Sequence, residues 1–154
     1  MGRMPKEEGR GTVGEGRVSQ GEDTLFSRHP PALSGDMRLG VLFSGGKDSA
    51  FAAWRAMQKE EVACLITVVP SNPQSYLFHT PNIRLTGLQA EAAGLPLVTV
   101  ESRGVEGEEL ADLSRAVARA AEDHGILGVV TGAIRSVYQA TRVQRVCHDL
   151  GLWC

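Results

Sequence analysis

The chain has 154 residues, 42% of them hydrophobic and 22% charged, enough for one domain with a genuine core and too little for two of ordinary size. Sixteen Lys and Arg against 18 Asp and Glu leave a formal charge of −2, which argues against nucleic-acid binding by bulk charge. No apolar run approaches the roughly 20 residues of a membrane span, and three cysteines without a C-x-x-C pair argue against a disulfide framework or a zinc site, so a cytoplasmic protein of a reducing compartment is expected.

Residues 1–36 carry 7 of the 18 glycines and 3 of the 7 prolines and have almost no periodic apolar pattern, so they are expected to be a disordered tail. Their Gly9-x-Gly11-x-x-Gly14 matches a dinucleotide fingerprint in letters only, because no strand precedes it and no helix follows. From residue 37 onward strand and helix patterns alternate. Residues 38–43 form a short apolar run that ends in a Gly-rich turn, the mark of a buried strand. Residues 48–59 read as a helix with Ala50, Ala53, Trp54 and Met57 on its core face. A β-branched strand over 62–69 follows, then a Pro-rich loop over 70–82 and a helix over 83–93 that Gly94 closes. Residues 97–100 form the third strand. The best helix runs over 108–124, with Leu110, Leu113, Val117, Ala120 and Ala121 on one stripe, and Glu109 and Asp112 in its first turn to complement the helix dipole. A strand over 126–131 and a helix over 135–150, buried through Val143, Val146, Cys147 and Leu150, complete the pattern, and residues 152–154 open a fifth strand. Such alternation predicts an α/β domain with a parallel sheet and helices on both faces. Its ligand would lie beyond the carboxyl ends of the strands, at the loops over 44–49, 70–82, 101–107 and 132–136.

The first of these loops is Ser44-Gly45-Gly46-Lys47-Asp48-Ser49. Two glycines let bare N–H groups close around an anion, the helix start adds partial positive charge, Lys47 adds a full charge, and Ser44 and Ser49 can donate. Charge-assisted bonds of this kind are worth roughly 1.5–3 kcal/mol each. A Walker A loop is excluded. Val41 stands where its first glycine belongs, and Asp48 where it needs Ser or Thr.

This hexapeptide resembles the pyrophosphate loop of the N-type ATP pyrophosphatases, which implies a Rossmann-like, adenine-nucleotide α-hydrolase fold and cleavage of ATP between the α- and β-phosphates. Further motifs follow in order: Val68-Val69-Pro70, Ser75-Tyr76-Leu77-Phe78-His79-Thr80-Pro81-Asn82, Val105-Glu106-Gly107-Glu108, Thr131-Gly132-Ala133-Ile134, Tyr138-Gln139, Arg142-Val143, Cys147 and Leu150-Gly151-Leu152. Within that superfamily they are similar to the diphthine–ammonia ligases, from about Met37 to the last residue. The resemblance implies an ATP- and Mg²⁺-dependent ligase whose partners are ammonia and translation elongation factor 2 bearing diphthine. It also implies a second, smaller lobe beyond the matched segment. Without that lobe, the chain is expected to bind ATP weakly, to form no amide and to self-associate through an apolar edge at residues 152–154.

The candidate site residues each carry a plainer alternative. His79 either packs on Tyr76 or Phe78, or, as the resemblance implies, contacts substrate. Glu106 and Glu108 either complement the dipole of the following helix or hold an amine or the cationic part of diphthine. Gly132 is either a plain turn glycine or lies at the ligand edge so that backbone can approach a nucleotide closely, which a Cβ would block. Tyr138, Gln139 and Arg142 fall in the first turns of the last helix, nearest the cleft, with Tyr138 and Arg142 on one face. The resemblance thus implies catalytic work for Lys47, Asp48, Glu106, Glu108 and Arg142, nucleotide binding by Ser44, Gly45, Gly46, Lys47, Asp48, Ser49 and Gly132, and substrate binding by His79, Tyr138 and Gln139. Asp48 is the candidate Mg²⁺ ligand. Cys64, Cys147 and Trp54 are read as core. Two other readings are a tRNA-modifying pyrophosphatase, disfavoured by the lack of paired cysteines and of a basic surface, and a non-catalytic adenine-nucleotide-binding module.

Overall fold

The computed structural model describes residues 37–71, 82–105, 107–133 and 136–154. The expected tail over 1–36, most of the 70–82 loop with His79, and Glu106 lie outside the described residues. Four parallel strands form one sheet: β1 (Arg38–Leu42), β2 (Glu61–Pro70), β3 (Leu97–Ser102) and β4 (Gly128–Thr131), in the order β3-β2-β1-β4. Trp153 continues the sheet beyond β4 through a parallel bridge to Gly128, with Val129 N–H donating to Trp153 O at 2.8 Å.

Helices α1 (Lys47–Met57) and α2 (Thr86–Ala93) cover one face, and α3 (Glu109–His124) and α4 (Val137–Asp149) the other. The α1/α2 face buries Val41, Phe43, Ala53, Val62, Leu65 and Ala90. The opposite face is larger and includes Cys64, Ile66, Val98, Leu113, Val117 and Val143. A bulge in β2 decides which of its residues go where. Leu39 pairs with Val62 but Gly40 pairs with Cys64, so Ala63 is the extra residue. The parity of the strand flips there: Val62 and Leu65 share one face, and Cys64, Ile66 and Val68 the other.

Several expectations are corrected. The 48–59 helix begins at Lys47 and ends at Met57, and its core face is Ser49 and Ala53; Trp54 is 53% exposed and Met57 45%. Small residues let α1 lie close on the sheet, and Trp54, a single step of about 100° from Ala53, turns outward to meet Phe51 at 5.7 Å between ring centroids. The 83–93 helix is a 3-10 turn, Ile83–Leu85, followed by α2. Its Gly94 adopts φ +66 and its N–H returns to Ala90 O and Glu91 O, the left-handed closure expected of a glycine there. In α3 Glu109 and Asp112 stand in the first turn as expected; both are buried, and Asp112 accepts from Arg115 at 2.6 Å. Cys64 and Cys147 are buried, free thiols of the core, whereas Cys154 is exposed. Among the described residues no helix is long and apolar enough to cross a membrane.

Candidate nucleotide site

The strand order places the site. β1, β2 and β3 step outward in one direction, and the chain then crosses back through α3 to set β4 on the far side of β1. The loops leaving β1 and β4 therefore diverge to opposite faces and open a crevice between them, the switch point at which doubly wound sheets bind ligands. A cavity of about 250 Å³ lies there, lined by Phe43 and Ser44 from the end of β1, Asp48 and Ser49 from α1, Thr131, Gly132 and Ala133 after β4, Gln139 of α4, and apolar side chains that include Ile66, Leu113 and Val143.

The loop after β1 is held from within. Ser44 N–H donates to Ser49 Oγ at 3.3 Å, the Ser44 and Ser49 hydroxyls lie 3.2 Å apart, and Ser49 Oγ donates to Gly46 O at 3.0 Å. Gly45 sits at φ +76, a conformation in which a side chain is strained. Gly46 is the N-cap of α1, and no described side chain caps that end. The first-turn N–H groups of α1 thus keep their donor capacity and positive partial charge for an anion from outside the chain. Lys47 Nζ rests on Asp48 at 2.8 Å, with the two side chains 87% and 63% exposed. So exposed a pair is held weakly, and Lys47 can leave it for a phosphate at little cost.

Gly132 owes its lack of a side chain to α1. A Cβ there would stand 2.7 Å from both C and O of Asp48 and 2.8 Å from Ser49 N. The sequence suggested close approach to a nucleotide as the reason; the structure shows another, that the β4 loop packs directly on the backbone of Asp48 and Ser49 at the start of α1. Thr131 Oγ1 accepts from Ala133 N–H at 3.2 Å and shapes the same turn. Ser136 caps α4 by accepting from Gln139 N–H at 3.3 Å, which moves the helix start from the expected 135 to Val137 and sets Gln139 at the cavity wall.

The structure brings together Ser44, Asp48, Ser49, Gly132 and Gln139 around one cavity. It does not bring Tyr138, Arg142 or Glu108 to that wall. The Arg142 guanidinium stacks on the Tyr138 ring, 3.3 Å from its centroid, on the outer side of the first turns of α4. Glu108 precedes α3 and pairs with Arg103 at 2.6 Å, with its side chain 47% exposed. Phe43, Thr131 and Ile83 are wall residues that the sequence reading missed; position at a strand's carboxyl end is the signal that could have found the first two.

A family model described as the diphthamide synthase N-terminal domain matches residues 37–154. The diphthine–ammonia ligase of Rattus norvegicus is 34% identical over 135 residues, covering 75% of this chain and 51% of the relative. That of Homo sapiens is 32% identical over 135 residues with the same coverage. That of Schizosaccharomyces pombe is 34% identical over 133 residues, covering 75% of this chain and 22% of the relative. The chain spans about half the length of the mammalian relatives it matches.

Proposed function

The chain belongs to the diphthamide synthase N-terminal domain family, and from that membership we propose that it is the nucleotide-handling part of an ATP-dependent ligase that amidates diphthine on translation elongation factor 2 with ammonia. The observation that carries this reading is the uncapped start of α1 behind Ser44, Gly45 and Gly46 at the switch point between β1 and β4. That is a site for a polyphosphate anion. The cavity of about 250 Å³ falls below the roughly 300–1,000 Å³ usual for small-molecule sites, so a nucleotide would fill it and extend beyond it.

In the proposed reaction the diphthine carboxylate oxygen bonds to the α-phosphorus of ATP and the bond to the bridging oxygen of the β-phosphate breaks. Pyrophosphate leaves. Ammonia then bonds to the acyl carbon, loses one proton, and AMP departs. The loop N–H groups and Lys47 hold the charge that builds on the departing pyrophosphate, and the Ser44 and Ser49 hydroxyls join them by turning their protons away from Ser49 Oγ and Gly46 O. Catalysis by this part of the site is therefore positioning and charge stabilisation. Among the described residues no group of three or more His, Cys, Asp or Glu could form a protein-built metal site. Mg²⁺ commonly binds through one or two carboxylates together with substrate phosphates. Asp48, exposed at the cavity, is the carboxylate we assign to it, and the ion would supply further charge neutralisation. Tyr138, Arg142 and Glu108 stand outside the cavity wall, and we assign them to the acceptor protein rather than to ATP.

The test is product analysis. The purified protein, ATP, Mg²⁺, ammonium and diphthine-bearing elongation factor 2 are combined, alone and with the remainder of the longer relatives supplied as an extension of the chain. AMP, pyrophosphate and amide in equal amounts from the extended protein are expected. ADP with inorganic phosphate as products, or no binding of ATP by either form, would overturn the proposal.

A further inference from the structure

We propose that Gln89 is a positioning residue of the anion loop, holding the Gly45–Gly46 peptide in its anion-binding orientation. Gln89 lies in the middle of α2, 44 residues from the loop, and its Nε2 donates to Gly45 O at 3.2 Å. In a trans peptide the C=O and the following N–H point in opposite directions. Tying Gly45 O back to α2 therefore turns the Gly46 N–H away from α2. The start of α2 also closes on Gly45 from behind. A Cβ on Gly45 would stand 2.7 Å from Asn82 O, 2.8 Å from Gln89 Oε1 and 3.2 Å from Thr86 Cγ2.

The second observation concerns the other end of the same amide. Gln89 Oε1 is buried and has no hydrogen-bond partner among the described residues. A buried unsatisfied acceptor is a cost that a leucine of similar size would not carry. Keeping the amide is intelligible if its Nε2 bond to the loop is needed for binding rather than for folding. Gln89 does not line the nucleotide cavity, so it acts through the loop and not on the ligand.

This inference rests on the anion-loop reading above, and the experiment separates the two. Gln89→Leu removes the donor. Gln89→Glu keeps the shape but places a carboxylate against Gly45 O, and that carboxylate regains a donor only when protonated. Binding of ATP·Mg²⁺ is measured by calorimetry for both variants relative to the natural protein at each pH, which cancels the titration of ATP itself. Gln89→Leu is expected to weaken binding about 5- to 10-fold, the equivalent of one lost hydrogen bond, without lowering the melting temperature. Gln89→Glu is expected to be weaker at pH 8 and to recover towards the natural affinity near pH 5, since a carboxyl facing a carbonyl oxygen keeps its proton to a higher pH than usual. Affinity and melting temperature falling together, with no recovery of the Glu variant at low pH, would overturn the inference. Without any nucleotide, the Gly46 amide resonance of Gln89→Leu should shift while those of β3 and α4 stay in place, and an unmoved Gly46 signal would overturn it as well. A natural protein that bound no ATP, with Gly46 still moving in the variant, would count against the nucleotide reading alone.

Discussion

Lys47 and Gly132 are the two residues whose roles at the site differ most in kind. Lys47 carries a charge: its ammonium is exposed and leans only on the likewise exposed Asp48 among the described residues. Lys47→Ala should leave the melting temperature unchanged and weaken ATP·Mg²⁺ binding about 10- to 150-fold, the loss of one charge-assisted contact of roughly 1.5–3 kcal/mol, read by calorimetry. Gly132 contributes space. Gly132→Ala would drive a methyl into the Asp48 backbone at 2.7 Å, so urea unfolding should show a loss of about 1–3 kcal/mol, and nucleotide affinity should fall with it because α1 is displaced. Cys64 contributes a pH dependence. Burial pushes its thiol from the ordinary 9.0 up to about 11. Between those values the unfolded chain has lost the proton that the folded chain keeps, so stability is fully present below pH 9 and falls as pH rises towards 11. The fall should reach about 2–3 kcal/mol, and Cys64→Ala should show a shallower loss across that window in parallel denaturation curves.

Among the elements, the helices differ in how much of their position their own sequence accounts for. α3 carries a regular apolar stripe: Leu113, Val117 and Ala120 are buried as the spacing predicts, Leu110 and Ala121 are only partly buried, and Ala116 is buried in addition. α1 shows the limit of that reasoning. The same spacing put Trp54 and Met57 inward, but the packing distance of α1 from the sheet admits Ser49 and Ala53 and leaves the large side chains outside. α2 buries only Thr86 and Ala90, and its end depends on the left-handed Gly94. Beyond its chain neighbours and its own helix backbone, no described atom stands within 4 Å of a Cβ added there, so Gly94→Ala tests conformation without crowding. It should destabilise by about 1 kcal/mol in urea unfolding, with nucleotide affinity unchanged. Loss of affinity in that variant would mean that the end of α2, and not only Gln89 within it, sets the geometry of the anion loop.

β1 and β2 sit at the centre of the sheet with helices on both faces, and their residues Val41, Cys64, Leu65, Ile66 and Thr67 are each no more than 1% exposed. Native-state hydrogen exchange should find its slowest amides there and its fastest described helical amides in Ile83–Leu85 and α2. Slowest exchange in α4 instead would place the stable centre of the fold elsewhere. The sequence by itself determined the α/β alternation, the parallel sheet and the glycine-rich loop between β1 and α1, because these rest on local quantities: apolar period, glycines between a strand and a helix, and a lysine at the helix start. Tertiary structure alone decided the bulge at Ala63 that puts Val62 and Leu65 in one core and both Ala63 and Cys64 in the other, the outward turn of Trp54, and the bond from Gln89 to Gly45. Each of these depends on the register, separation and crossing of elements far apart in the chain, and no spacing along the chain encodes the distance between two surfaces that have not yet met.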